Sequence, residues 1–388
     1  TLSSSSAASD VYKRQSWHIQ NYPACRLVLL NPIPLPTFSF LVQGLLHYHQ
    51  HPKRKGWSLE DYVANWHLSG AEALAALVQS HHSKGATTIL LPAFFCGQSL
   101  RFLRHANVIF FFYPLTDDLQ PDYGWIESLL EEQQANFLIH VHYFGQATSQ
   151  NDSRRLCDKY GIQLIEDCAH LIHSDIHSHW MGDFLLFSPH KYFPVAQGGM
   201  LYKKKQCKCE KAGSAVLFPW LWYLKQFVKR YLPFLRSKRK HPGLVWSAQS
   251  EKPTLKSPSF VEKELLESIV DDLDLVIEKR RINREILTEK LLKYGGWWEL
   301  SDFQRKDVPY LLGMRCSSLE VANKRRTLLS QAGAPVMQWP DLPVEIRGKK
   351  ETYQKDIQRT EETIYFFLHE QLDILQYVEC IHKALNES

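Results

Sequence analysis

Six short apolar segments along the middle of the chain constrain its fold most strongly. They cover residues 88–91, 108–112, 137–141, 163–165, 184–187 and 199–202, and stretches with helical periodicity separate most of them. Strands that are apolar on both faces and alternate with helices are typical of a parallel sheet covered on both sides. The sequence therefore predicts an α/β fold with a mostly parallel central sheet.

The remaining patterns suggest how the chain is divided. Residues 259–294 carry apolar side chains at helical spacing and end at a glycine pair, which predicts one long amphipathic helix. Because 388 residues exceed the usual size of a single core, we expect a large domain over residues 16–258 and a smaller α+β domain over residues 259–388. Residues 1–15 lack any matching periodicity, and we expect a non-native or disordered tail there.

Charge and cysteine content argue against several classes of protein. The net charge is only +5, and much of the positive excess lies between residues 203 and 240, so nucleic acid is not an expected partner. Eight scattered cysteines without an apolar signal sequence indicate reduced thiols and a cytoplasmic protein. Cys207 and Cys209 form an isolated CxC pair, from which we expect no metal site.

Polar residues follow several of the predicted strands and would meet at one edge of a parallel sheet. Asp167 ends the segment that begins at Gln163, and His170 follows in the loop. Lys191 lies just after the 184–187 segment, where partial burial would lower its pKa and free the amine to form a Schiff base. Taken singly, such an aspartate is more often a turn or cap residue, and such a lysine is more often solvated.

Two other segments would contribute to the same edge. Ser69 and Gly70 lead directly into a predicted helix at residues 71–78, and backbone N–H groups at a helix start bind phosphate, although a plain capped helix explains the pattern equally well. Ser188 could add a hydroxyl to that phosphate. His142 and Gln146 follow the 137–141 segment, where a strand with a tight turn is the alternative explanation.

A basic and aromatic insertion interrupts the pattern at residues 203–258. Between residues 217 and 240, tryptophan, tyrosine, phenylalanine and leucine are mixed with lysine and arginine. This composition is compatible with weak contact to a membrane surface. It is also compatible with packing over the mouth of the site or against a second subunit, which we favour because exposed apolar faces usually mark interfaces.

The order of the motifs SG-helix, LPAFFCG, VHYFGQ, EDCAH, SPHK and QGGML resembles the DegT/DnrJ/StrS family of aminotransferases that use pyridoxal 5'-phosphate (PLP). The resemblance implies the seven-stranded sheet of PLP fold type I. It implies that Lys191 forms the internal aldimine, that Asp167 pairs with the pyridine nitrogen and that His170 contacts the 3'-oxygen. The implied phosphate ligands are Ser69, Gly70, Ala71 and Ser188. Either Phe94 or Phe95 would stack on the pyridine ring, and we expect Phe95 to do so.

The resemblance further implies a homodimer that transfers an amino group from an amino acid, glutamate by preference, to a nucleotide-linked keto-sugar in polysaccharide or secondary-metabolite synthesis. A PLP-dependent sugar dehydratase is one alternative, since relatives with that activity carry histidine in place of the lysine and His190 is adjacent. A non-catalytic scaffold of the same fold is another. Retention of both Asp167 and Lys191 favours the aminotransferase.

Overall fold

A seven-stranded sheet forms the centre of the protein. The computed structural model describes residues 30–50, 57–81, 86–106, 108–172, 180–209, 212–231, 245–300, 303, 307–339 and 341–386, so the expected tail at residues 1–15 lies outside the described residues. The strands of the sheet are β1 (Tyr62–His67), β2 (Thr87–Pro92), β3 (Val108–Tyr113), β4 (Phe137–Val141), β5 (Gln163–Cys168), β6 (Phe184–Phe187) and β7 (Gly199–Lys204). They lie in the order β1-β7-β6-β5-β4-β2-β3.

The predicted α/β class and mostly parallel sheet are confirmed. Strands β2 to β6 run parallel, whereas β7 is antiparallel to both of its neighbours, β6 and β1. Strand β1 has no counterpart among the predicted segments, because Asn65 and His67 interrupt its apolar pattern. The strand order changes direction between β2 and β4, and the crevice at such a switch point is where ligands bind in open α/β sheets.

Helices cover both faces of the sheet and deliver loops to its edge. The helices before the insertion are α1 (Phe38–Gln50), α2 (Gly70–Gln79), α3 (Arg101–His105), α4 (Tyr123–Glu132) and α5 (Asn151–Tyr160). Helix α2 begins where the sequence predicted, because the Ser69 hydroxyl accepts a hydrogen bond from the backbone N–H of Glu72. Its inner face is apolar and buried against β7, so the start of α2 is fixed beside the sheet edge.

The prediction of one continuous helix over residues 259–294 is wrong, because a turn divides this segment into two helices. Helix α6 (Trp220–Tyr231) lies in the insertion, and the predicted segment itself forms α7 (Phe260–Ile269) and α8 (Leu273–Leu292), separated by a 3₁₀ turn at Val270–Asp272. Helix α7 packs in the apolar cluster beside the large sheet, whereas the end of α8 packs in a separate cluster near the C-terminus. The tighter turn allows both helices to bury their apolar faces.

The C-terminal region builds a second, antiparallel sheet. Its strands β9 (Trp297–Glu299), β10 (Leu311–Cys316), β11 (Val336–Met337) and β13 (Thr363–Phe367) lie in the order β11-β13-β10-β9. Helices α9 (Leu319–Gln331) and α11 (Ile374–Asn386) pack against this sheet, and α10 (Gln354–Glu362) precedes β13. Two short strands, β8 (Trp246–Ser247) and β12 (Leu342–Pro343), pair with each other. The domain boundary near residue 258 stays a prediction.

No helix within the described ranges combines the length and the apolar character needed to cross a membrane.

Candidate active site

A cavity of about 170 Å³ lies at the edge of the sheet where β4, β5 and β6 end. Eight of the ten residues predicted for the site line it, namely Ser69, Gly70, Ala71, Phe95, Asp167, His170, Ser188 and Lys191. They come from the start of α2 and from the ends of three strands, β2, β5 and β6, or the loops after them, because parallel strands deliver their carboxyl ends to one edge. Antiparallel β7 adds its amino end to the same edge.

Lys191 extends into this cavity from a short 3₁₀ turn, Pro189–Lys191, that follows β6. Its backbone N–H donates to the Ser188 carbonyl at 2.9 Å, which fixes the turn. Burial lowers the pKa of the ammonium group, and the negative charge of Asp167 partly opposes that effect. Among the described residues none accepts a hydrogen bond from its Nζ. The amine is therefore held in the cavity and loses its proton more readily than an exposed lysine does. A nucleophilic lysine requires this property.

Asp167 stands at the end of β5 and is 8% exposed. One carboxylate oxygen accepts a hydrogen bond from the backbone N–H of Ala169 at 2.9 Å. Burial raises the pKa of this carboxyl, while the positive charge of Lys191 acts in the opposite direction. A cationic nitrogen placed beside Asp167 would supply further counter-charge for a carboxylate that has little access to water.

His170 is buried between two aromatic rings. Its imidazole stacks on Tyr310, with 4.9 Å between ring centroids, and on Phe144, at 5.7 Å. The pKa of His170 lies well below its usual range, chiefly because the ring is buried and to a smaller extent because Lys191 is positively charged. The ring is therefore neutral. Its Nδ1 accepts the backbone N–H of Phe144 at 3.4 Å, which leaves Nε2 as the nitrogen that carries the proton. His170 can therefore donate one hydrogen bond from Nε2.

The start of α2 and the Ser188 hydroxyl form a cradle for an anion. A Cβ atom on Gly70 would collide with the Ser188 Oγ, so the absence of a side chain at residue 70 brings this hydroxyl next to the helix start. A Cβ atom on Gly199 would likewise collide with the Ser69 backbone, where β7 passes the same point. The first backbone N–H groups of a helix have no partner within the helix, and the helix dipole favours negative charge there.

Phe94 and Phe95 both line the cavity, but their rings differ in their surroundings. Phe94 stacks on Trp339 at 4.5 Å between centroids with an interplanar angle of 27°. Its carbonyl also accepts a hydrogen bond from the Tyr143 hydroxyl at 2.6 Å. One face of the Phe94 ring is therefore covered, and the choice of Phe95 as the ring that stacks on a planar ligand stays a prediction.

The two other predicted residues, His142 and Gln146, are not among the described residues that line the cavity. The Nε2 of His142 pairs with the Glu166 carboxylate at 2.9 Å, and its Nδ1 accepts the backbone N–H of Thr148 at 3.2 Å. Side chains alternate between the two sides of an extended strand. Val141 and Tyr143 therefore face the cavity, whereas His142 points to the opposite side.

Residues 62–214 match the DegT/DnrJ/EryC1/StrS aminotransferase family. The similarity to this family is limited to that segment of the chain.

Sequence relatives support this assignment over short stretches. EpsN of Bacillus subtilis, whose name describes a pyridoxal phosphate-dependent aminotransferase, is 32% identical over 136 residues, which cover 30% of this chain and 34% of EpsN. GDP-perosamine synthase of Vibrio cholerae is 33% identical over 79 residues, which cover 19% of this chain and 22% of the synthase. The matches thus span about a third or less of the length of these curated relatives.

Solved structures support the fold over almost the whole chain. PseC of Helicobacter pylori, an aminotransferase involved in the biosynthesis of pseudoaminic acid, superposes with a TM-score of 0.63 at 12% identity. The superposition covers 94% of this chain and 96% of PseC. The chain therefore has the predicted fold of PLP-dependent fold type I, including the C-terminal region that the family match leaves out.

Several residues that line the cavity were not predicted from the sequence. Cys96 donates from Sγ to the Asp341 carboxylate at 3.1 Å, and burial raises the pKa of its thiol to about 11. Arg101, from α3, lines the cavity and forms an ion pair with Glu251 at 3.3 Å. Trp339 arrives from the loop after β11. The spacing of LPAFFCG could have indicated Cys96, but nothing near Trp339 in the sequence predicts its position.

One buried group has the residue types of a metal site but the contacts of a structural network. Possible ligand atoms of His142, Glu166 and Cys168 lie within 4.8 Å of one another. The Glu166 carboxylate, however, already accepts hydrogen bonds from His142 and from the backbone N–H groups of Met181 and Gly182. These three donors satisfy it without an ion, and the group fixes the back of β4 and β5 against the loop before β6.

Proposed function

We propose that this protein is a PLP-dependent aminotransferase that moves an amino group from an amino acid, glutamate in our proposal, to a nucleotide-linked keto-sugar. The observation that carries the proposal is the meeting of Lys191, Asp167 and the start of α2 on one cavity. These three features match the aldehyde, the pyridine nitrogen and the phosphate of PLP. The name of EpsN supports PLP as the cofactor. The name of GDP-perosamine synthase supports a nucleotide-linked acceptor.

The residues present fit the cofactor by two independent observations. The first is the Lys191 amine, which is held in the cavity without a hydrogen-bond acceptor among the described residues and whose pKa is lowered by burial. The second is the cradle at Gly70, which a Cβ atom would fill. The cradle offers backbone N–H groups of α2 and the Ser188 hydroxyl, which are the donors that a phosphate dianion prefers.

When bound, PLP supplies an electron sink that stabilises negative charge on the carbon that exchanges its amino group. Lys191 would hold the cofactor through Nζ and then use the same nitrogen to take a proton from one carbon and return it to another. Asp167 would keep the pyridine nitrogen protonated, and the protonated Nε2 of His170 would donate to the ring oxygen. Phe95 would orient the ring by stacking.

Arg101 is the residue that we propose for binding the carboxylate of the amino donor. Its guanidinium is about a quarter exposed on the cavity wall, and its partner Glu251 is more exposed, so a substrate carboxylate could compete for it. Arginine binds carboxylates through paired N–H donors. Phe94, Tyr143 and Trp339 form a buried aromatic wall that would exclude water from the reacting atoms.

The alternatives receive less support from the same site. His190 is the candidate base for a dehydratase, yet its Nδ1 donates to the Gly198 carbonyl at 2.8 Å, and burial lowers its pKa. Lys191 therefore remains the amine that reaches the cavity. A scaffold would have no use for a buried lysine and aspartate of opposite charge, because desolvating both groups costs free energy that a binding surface does not need.

An absorbance spectrum of the purified protein tests the proposal. We expect a visible yellow band that borohydride abolishes, and we expect glutamate to convert the bound cofactor to its pyridoxamine form. The Lys191→Ala variant should lose the band, whereas Lys263→Ala, which removes another partly buried lysine outside the cavity, should keep it. A band that persists in Lys191→Ala refutes the assignment of the lysine, and a spectrum that glutamate leaves unchanged favours the scaffold.

A further inference from the structure

Helix α6 presents an apolar face that no described part of the chain covers. Leu217, Trp220, Leu221, Leu224, Val228 and Tyr231 are 92%, 68%, 75%, 59%, 37% and 60% exposed, respectively. Five of them lie on the helix at positions i, i+1, i+4, i+8 and i+11. At 100° per residue, these positions fall within an arc of about 100°. They form a continuous stripe, which we call the α6 stripe, rather than scattered surface residues.

The opposite face of α6 anchors the helix, so its orientation is fixed. Tyr223 and Gln226 are buried, and the Phe218 ring stacks on Tyr223 at 4.7 Å between centroids. At the end of the helix, the Arg230 guanidinium donates to the Leu35 carbonyl at 2.9 Å and to the Gln371 side chain at 3.1 Å. Because the inward side already has its partners, the α6 stripe cannot rotate into the core without breaking these contacts.

The charge of the surrounding sequence indicates what covers the α6 stripe. The described part of the insertion around α6, residues 212–231, carries Lys225, Lys229 and Arg230 and no aspartate or glutamate. Lys225 and Lys229 are exposed on α6 itself, beside the stripe. In a twofold dimer built on this face, basic residues of one copy would approach those of the other without compensating acids. An anionic surface, in contrast, complements both the charge and the exposed aromatic residues.

We propose that α6 docks the protein on the surface of an anionic lipid membrane. A helix of 12 residues is too short to span a bilayer, so it would lie in the plane of the interface. Leu221 and Leu224 would enter the boundary between headgroups and acyl chains, and the rings of Trp220 and Tyr231 would lie at headgroup level. The lysines would contact acidic headgroups. This surface lies outside the cavity described above.

Vesicle co-sedimentation of the full chain tests the proposal. We expect binding to vesicles that mix phosphatidylcholine with phosphatidylglycerol, weak binding to phosphatidylcholine alone, and loss of binding in high salt. The Lys225→Gln/Lys229→Gln variant should lower the partition coefficient roughly 25-fold, because each basic residue near such a surface contributes a factor of about five. The Leu221→Ser/Leu224→Ser variant should lower it by at least about tenfold.

Two matched controls should bind as the unmodified protein does. Leu275→Ser/Leu292→Ser replaces two exposed leucines of α8, and Lys324→Gln/Lys355→Gln removes two exposed lysines elsewhere. Absence of vesicle binding, or equal binding to neutral and anionic vesicles, overturns the proposal. So does a Leu221→Ser/Leu224→Ser variant that binds vesicles normally but changes from dimer to monomer in sedimentation. The effect of glutamate on the absorbance spectrum of the protein in solution does not depend on any of these results. Failure of the membrane proposal can therefore be distinguished from failure of the proposed function.

Discussion

Replacing Gly70 by alanine tests the phosphate cradle. The added Cβ would collide with the Ser188 Oγ, so the hydroxyl must rotate away from the cradle. We expect the loss of one hydrogen bond from Ser188 to a charged phosphate, which contributes about 1.5–3 kcal/mol. The Kd for PLP should then rise by roughly 10- to 150-fold. Folding stability should change little, because alanine is a better helix residue than glycine.

The assay is titration of the apoprotein with PLP, followed by absorbance, in a cycle of variants. Ser188→Ala alone should weaken PLP binding by a similar factor, since it removes the same hydroxyl. Once Ser188 is alanine, the Gly70→Ala change has no Oγ to displace, so the double variant should be little worse than Ser188→Ala. Fully additive effects of the two changes would refute the reasoning, as would unchanged PLP binding in both single variants.

Three other predictions concern charge and burial. Asp167→Asn should retain PLP but slow the glutamate half-reaction by on the order of 10²-fold or more, measured by stopped-flow absorbance, because a neutral amide no longer holds the pyridine proton. Arg101→Ala should raise the KM for glutamate with little effect on the spectrum of bound PLP; an unchanged KM would remove Arg101 from the donor site. His67 is buried, and neither of its ring nitrogens has a hydrogen-bond partner among the residues that the structure describes; burial lowers its pKa from 6.5 to about 4. This histidine binds a proton more readily in the unfolded chain, so the free energy of unfolding should fall as pH drops below about 6.5, by up to about 3 kcal/mol from this group. Urea unfolding between neutral and acidic pH should show a flatter pH dependence in His67→Phe; an equal slope in both proteins would contradict this account.

Much of the large sheet could be predicted because its central strands are mainly apolar on both faces. Strand β6, for example, is buried at every position and consists of apolar residues alone. Strand β1 could not be found in this way, because it lies at the sheet edge and alternates apolar with polar residues. The break between α7 and α8 also has no local signal, because apolar residues continue on both sides of it and pack in the same cluster, and only the end of α8 reaches the C-terminal cluster.

In the candidate site, too, the residues with a local sequence signal could be predicted, and those placed by contacts with distant parts of the chain could not. Lys191, Asp167 and Ser188 were predicted because each directly follows a recognisable strand. His142 was placed in the site, and Tyr143 was passed over, because the sequence does not define which residue of a strand end faces the ligand. Trp339 comes from about 150 residues beyond Lys191 in the chain, and its position depends on ring contacts with residues such as Phe94 and Tyr143. Cofactor-binding roles for all these residues stay predictions.

The antiparallel course of β7 has a consequence for how this site could change. The loop that carries Lys191 leaves the sheet at Phe187 and returns to it at Gly199, one strand away. Both ends of the loop are thus hydrogen-bonded into the sheet within a few residues of the amine. An insertion or deletion in this loop would displace the lysine directly, whereas the insertion that holds α6 begins only after β7 has crossed the sheet. Variation in length among proteins built on this plan should therefore collect after residue 204 and spare the preceding loop.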